Sequence, residues 1–289
     1  MSESRSPALV PGQYEIPADP VRAQEQFWSQ WGEKAGFGRQ QFETLWTDAG
    51  KQYIDLAHHN FDHAQRVLWD AMCLADACEG NGIEVNRKAL IGAALFHDAG
   101  YYQRAALDDT ASKEAYAARI LRAYATQQEY GMSTEDIVVG IQAILSTEVE
   151  RVPVSIEDKI LVRADLMNIG GDYKTSVTPT TERLLEEARV LEGTSDDPAP
   201  GRLPFMHRSI RVIAGYLVHD LSLGPFDKKE WLEQAVGNLL RMIRETAAEE
   251  SRSASDLVKE LGSSAVTKLF NRQHAGTSEQ SDYPEHRKE

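Results

Sequence analysis

The stretch ALIGAALFHDAGYY, residues 89–102, decides how this chain is read. Residues 89–96 are apolar or glycine all round a helical wheel, the pattern of a helix buried on every side. His97 and Asp98 follow at once, and Gly100 is placed to stop the helix. A carboxylate left unpaired there would lose several kcal/mol or more of hydration free energy. Something must compensate Asp98.

Working outward, almost every segment reads as helix. ADPVRAQEQFWSQWGEKAG (18–36) has an aspartate start and a glycine stop, and NFDHAQRVLWDAMCLADACEGNG (60–82) opens on Asn60, a good N-cap. Helical patterns also cover 86–100, 111–131, 133–147, 155–171, 207–220 and 227–250, with a loop expected at EGTSDDPAPGRLP (192–204). Glu135 and Asp136 near the start of the 133–147 segment suit the helix dipole. Neither a convincing alternating strand nor an internal repeat is found. The expected fold is all-α: a single-domain helical bundle over residues 23–250. Residues 1–22 are expected to be disordered, and 251–289 to form a polar, largely disordered tail.

Composition bounds the function. The 289 residues suffice for a substantial core, at 42% hydrophobic and 26% charged. With 31 basic against 45 acidic residues the formal charge is −14, which argues against a track for nucleic-acid phosphates. A small anionic substrate is still allowed, because one cation and a few basic side chains reverse the field locally. The sequence lacks a long apolar run and a secretory leader, so no membrane association and a cytoplasmic location are expected. Cys73 and Cys78 fit neither a redox CxxC motif nor a disulfide framework and read as small apolar helix residues. Homo-oligomer formation is left open.

Two further polar residues stand out. His63 is followed by Val67, Ala71 and Leu74 on one helical face, so it points into the bundle. Asp165 lies among Val162, Leu166 and Ile169, one turn before Gly170 and Gly171. Each alone has a bland reading: a hydrogen-bonded core histidine, a His97–Asp98 pair, an Asp165 paired with Arg163. Taken together, two imidazoles and two carboxylates on three buried helices form a usual cage for one divalent ion inside a bundle. Such mixed N/O donors suit Mn²⁺, Fe²⁺, Co²⁺, Ni²⁺ or Zn²⁺ better than Ca²⁺, and Mg²⁺ stays in play.

The same four residues resemble the defining set of the HD superfamily of metal-dependent phosphohydrolases, a His, a later His-Asp pair and a final Asp. HHNFDHAQRVL (58–68) is similar to the YHNxxH entry of one uncharacterised branch of predicted phosphohydrolases. KEAYAARIL (113–121) resembles that branch's NExxSAxxA, aligning Glu114 with its glutamate. AILSTE (143–148) with ADLMNIGG (164–171) resembles ILxTxxH … DxDLxILG, and WLEQAVGNLLRMI (231–243) resembles ExARxNL. The likeness spans residues 40–245. Departures are His58 for the branch's Tyr, Ala117 for its Ser, and Thr147-Glu148-Val149-Glu150 for Thr-Lys-x-His. Residues 99–164 contain no histidine, which favours a mononuclear site over a dinuclear one.

The resemblance implies an HD-type bundle that binds one divalent metal through His63, His97, Asp98 and Asp165 and hydrolyses a small phosphorylated substrate, with nucleotides the leading class. Glu114 is the candidate to orient or deprotonate the water, with Asp98 and His59 as its catalytic companions. His59, Arg66 and Lys113 are the candidate phosphate-binding groups. His207, Arg208 and Arg211 make a basic cluster with no assigned chemistry. Two other readings compete: a metal-bound nucleotide-sensing module without turnover, and a purely structural bundle with a buried His–Asp pair.

Overall fold

The computed structural model describes residues 16–102, 112–127, 130–192, 201–227 and 229–278. Twelve helices and no strand occur among the described residues: α1 (Pro20–Phe27), α2 (Arg39–Gly50), α3 (Phe61–Gly80), α4 (Arg87–Phe96), α5 (Lys113–Ala125), α6 (Thr134–Ser146), α7 (Ile156–Asp165), α8 (Thr178–Glu192), α9 (Arg202–Leu217), α10 (Glu230–Glu249), α11 (Ala254–Leu261) and α12 (Ser264–Ser278). A π-helical turn, Trp28–Gly32, extends α1, and a 3₁₀ turn, Met167–Gly170, follows α7. None of these helices is long and apolar enough to cross a membrane.

The opening stretch is the centre of the molecule. All eight residues from Ala89 to Phe96 are buried, as a helix without a polar stripe requires. α4 packs on α3 and α6, while α7 packs on α3 and α6. Gly140 lets α6 approach closely, since a Cβ there would lie 3.1 Å from the Ala89 carbonyl oxygen. At one end, Phe27, Trp31, Phe42, Trp46 and Trp69 form an aromatic layer with centroids 4.9–6.0 Å apart.

The expected boundaries need correction at both ends. The domain does not begin at 23: Asp19 caps α1 at Pro20, and Ile16 already packs on the core. Nor does it end at 250, because Ser253 caps α11 and α11–α12 bury Leu257, Val258, Leu261, Val266 and Leu269. A polar-looking composition hid an amphipathic helix with apolar residues at i, i+1 and i+4. The disorder expected for 1–15 and 279–289 lies outside the described residues, as do residues 193–200 of the expected loop. Cys73 and Cys78 are free, and burial pushes their thiols up to about 12 and about 11.

Candidate metal centre

Four helix ends meet around one cluster of polar side chains. His63 stands in the first turn of α3, His97 caps the C-terminus of α4, Glu114 sits in the first turn of α5, and Asp165 ends α7. Local sequence fixes each end. The Asn60 side chain accepts from the His63 N–H at 3.0 Å, and Ser112 accepts from Ala115 N–H at 3.2 Å. Ser155 and Asp158 form a capping box for α7. Gly100 turns the chain after the His-Asp pair with φ +71°, where a Cβ would fall 2.4 Å from the Tyr116 ring.

The structure brings His63, His97, Asp98 and Asp165 together: one donor atom from each lies within 4.8 Å of all the others. His63 Nε2 is 3.1 Å from Asp165 Oδ1, and His97 Nε2 is 3.0 Å from Asp98 Oδ2. The two imidazole Nε2 atoms face each other at 3.3 Å. His97 donates its Nδ1–H to the Ala94 carbonyl at 2.8 Å, which turns Nε2 toward the cluster. His63, His97 and Asp98 are buried, and the Asp165 side chain is 21% exposed.

This arrangement attracts positive charge. Burial opposes a charge on His97, yet Asp98 and Asp165 outweigh it and hold the imidazolium up to about 10. Burial likewise opposes ionisation of Asp98, but the His97 charge and then Lys113 hold it well below the usual carboxylate range. Asp165 is depressed in the same way, burial being overcome by hydrogen bonds from His63 and His97. For His63 burial wins and its pKa falls, so it favours a neutral, metal-ligating ring. Two neutralisable imidazoles and two anionic oxygens converging on one point, near the C-terminal ends of α4 and α7, fit a divalent first-row cation.

Of the four, Asp165 lines a cavity of about 400 Å³ between α7, α8 and α9. Lys113, Glu114 and His59 all line it. Lys113 Nζ reaches Asp98 Oδ1 at 3.2 Å and Glu114 Oε1 at 3.6 Å, and burial's opposition to its charge is overcome by Asp98 and Glu114. Glu114 is 6% exposed, not a solvated first-turn residue. His59 Nε2 lies 3.9 Å from Asp98 Oδ2, and its ring stacks on Tyr101 at 4.0 Å.

Not every sequence-derived candidate arrives. Arg66 does not line the cavity; it stands near Arg183, whose pKa falls through burial and then this like charge. Three residues past His63, Arg66 sits on nearly the same face but almost one turn further along α3. Arg163 pairs with Asp227, leaving Asp165 to the cluster. Of the unassigned basic residues Arg208 lines the cavity, whereas His207 turns to Glu250 at 3.0 Å and Arg211 is exposed. Glu148 pairs with Arg151 at 2.8 Å, outside the cavity.

One residue was missed. Glu187 on α8 is 2% exposed; its carboxylate takes the backbone N–H groups of His58 and His59 at 3.0 and 2.8 Å and pairs with His59 Nδ1. Burial opposes its charge, but the His59 contacts lower its pKa. A carboxylate can only accept, so Nδ1 carries the proton and Nε2 faces Asp98. The signal was present in TPTTERLLEEARVLE, where Leu184, Ala188 and Leu191 recur at helical spacing. Pattern alone cannot mark Glu187, because its partner is 128 residues away.

No protein-family model matches the chain, and neither does any curated protein sequence. Solved structures do resemble it. The phosphodiesterase domain of a rhodopsin phosphodiesterase from Salpingoeca rosetta aligns with a TM-score of 0.60 at 15% identity, covering 82% of this chain and 90% of that one. A structure of the phosphodiesterase domain of the rhodopsin–phosphodiesterase fusion protein from the same choanoflagellate aligns with a TM-score of 0.54 at 16% identity, covering 87% and 94%. The chain therefore has the all-α fold of these domains, in line with the HD-type bundle expected from its motifs.

Proposed function

We propose that the chain is a metal-dependent phosphohydrolase acting on a small phosphate ester. The observation that carries this reading is the convergence of the four donor atoms within 4.8 Å, with Lys113 and Glu114 lining a cavity that has Asp165 in its wall. The fold shared with phosphodiesterase domains supports it.

His63, His97, Asp98 and Asp165 would hold one divalent ion, which supplies Lewis acidity toward a phosphoryl oxygen and lowers the pKa of water. Lys113 adds positive charge for the phosphoryl oxygens while its bond to Asp98 fixes that carboxylate. Glu114, buried beside Lys113, is placed to accept the proton of the attacking water at a carboxylate oxygen. His59, its ring fixed by Glu187 and Tyr101, presents Nε2 for hydrogen bonding or proton exchange with a substrate oxygen. Nucleotides are the first substrate class to try, and the remaining space of the cavity is where the organic group would sit.

The test is phosphate release from a panel of nucleotides and sugar phosphates, with Mn²⁺, Co²⁺, Ni²⁺, Mg²⁺ or Zn²⁺ added separately. Release should require metal. In Glu114→Gln the metal should remain bound while turnover drops about a hundredfold. Unchanged turnover in that variant removes Glu114 from the mechanism, and a metal-free wild-type protein overturns the whole reading.

A further inference from the structure

The cavity has two unlike ends. At one stand Asp165 of the donor cluster, Lys113, Glu114 and the His59–Glu187 pair. The rest of the wall comes mainly from Leu184 and Leu191 of α8, Phe205, Val212 and Ile213 of α9, and Leu166 after α7. Val212, although on this wall, is 38% exposed, an apolar side chain left partly uncovered by the described residues.

The charges also count. Among the described residues lining the cavity, Lys113 and Arg208 are the lysine and arginine, and Glu114, Asp165 and Glu187 the carboxylates. One divalent ion offsets Asp98 and Asp165. Lys113 and Arg208 then offset Glu114 and Glu187, and no surplus positive charge is left. A polyphosphate tail, with about four negative charges for a nucleoside triphosphate, would be buried without counter-charge. A single phosphorus carries about two at most, so about half as much negative charge is left without a partner.

From the wall and the charge balance, we infer that the substrate is a single-phosphorus ester whose organic group is large and apolar, packed against α8 and α9 and away from the cluster. The inference rests on the hydrolytic reading for its phosphate end. The apolar end rests on the wall alone. It makes Val212 a specificity-determining residue: it touches the organic group and not the reacting atoms.

The experiment compares kcat/KM for phosphate release from 1-naphthyl phosphate, glycerol phosphate and ATP in the metal-supplemented full chain. Naphthyl phosphate should exceed both others by about tenfold or more, the return from burying an aryl group on this wall. Val212→Asp, at an exposed position that folding tolerates, should cut the naphthyl-to-glycerol ratio by about tenfold. ATP or glycerol phosphate turned over as well as naphthyl phosphate, or an unchanged ratio in the variant, overturns the inference. Silence from all three would count against hydrolysis, and calorimetry then decides the inference by itself. Naphthylmethylphosphonate should bind about tenfold tighter than the β,γ-imido analogue of ATP. Equal or reversed affinities, or no binding of either, overturn it.

Discussion

α3 joins two regions built on opposite principles. In its first turn His63 enters a cluster of imidazoles and carboxylates; further along, Trp69 meets Phe27 at 5.8 Å and Trp31 at 4.9 Å. The aromatic layer is held by area and shape, so its members can be exchanged for others of similar volume at modest cost. The cluster is held by charge, and each member is buried only because the others are there. One region supplies stability, the other spends it. Mutations in the two regions should therefore separate folding from metal binding.

The largest separation is expected at Asp98→Ala. This variant should lose stoichiometric metal by elemental analysis, and phosphate release with it, while circular dichroism still reports a folded helical protein. Metal retained at full stoichiometry would remove Asp98 from the ligand set and break the comparison at its sharpest point. The counterpart is Phe27→Ala. Phe27 is 1% exposed and touches Trp31, Trp46 and Trp69, so urea unfolding should show a loss of about 3–5 kcal/mol. Its folded fraction should bind metal as the wild type does. A parallel loss of metal would mean that the two regions are not independent.

The sequence disclosed these regions unequally. The cluster was legible because His63, His97–Asp98 and Asp165 interrupt otherwise apolar helix faces, and a buried charge needs a reason. α4 was legible because all its residues are apolar or small after the first turn. What stayed hidden depended on tertiary pairing. Glu187 looks like any surface glutamate until α8 is laid against the His58–His59 backbone. Arg66 reads as a phosphate clamp because it is near His63 in sequence, but one turn further along α3 it stands near Arg183, off the cavity. α11 and α12 were lost to their polar composition, although Leu257, Val258 and Leu261 mark one face.

Glu187→Gln sharpens the comparison within the polar region. A glutamine still accepts from the His58 and His59 backbone but no longer offers a carboxylate to His59 Nδ1. Metal content and melting temperature should stay near wild type, while kcat falls by about ten- to a hundredfold, as supporting partners of site histidines typically give. A fall confined to KM would place His59 in substrate binding only.

The smallest effect is expected at a carboxylate that owes its charge to neither region. Asp136 begins α6, where its Oδ2 accepts from the Ser133 N–H at 2.7 Å and its Oδ1 from the Asn86 side chain at 2.9 Å. Burial raises its pKa, but these hydrogen bonds, the Ser133 backbone first, lower it overall. The carboxyl is depressed in the folded state, so its contribution is fully present above the unfolded value of about 3.9 and is lost as pH falls through the lower folded value. Because the group is only partly buried and stays in reach of solvent, the contribution should stay below about 1 kcal/mol. The stability gap between wild type and Asp136→Asn, read from urea midpoints, should be constant from pH 7 down to about 5 and then close in more acidic buffer. A gap that widens on acidification would show that a neutral Asp136 holds α6 to α4 better than the carboxylate does. Away from the donor cluster, then, a backbone N–H and one amide suffice to keep a carboxylate charged; inside it, where Asp98 is almost wholly removed from water, the charges of His97 and Lys113 come first.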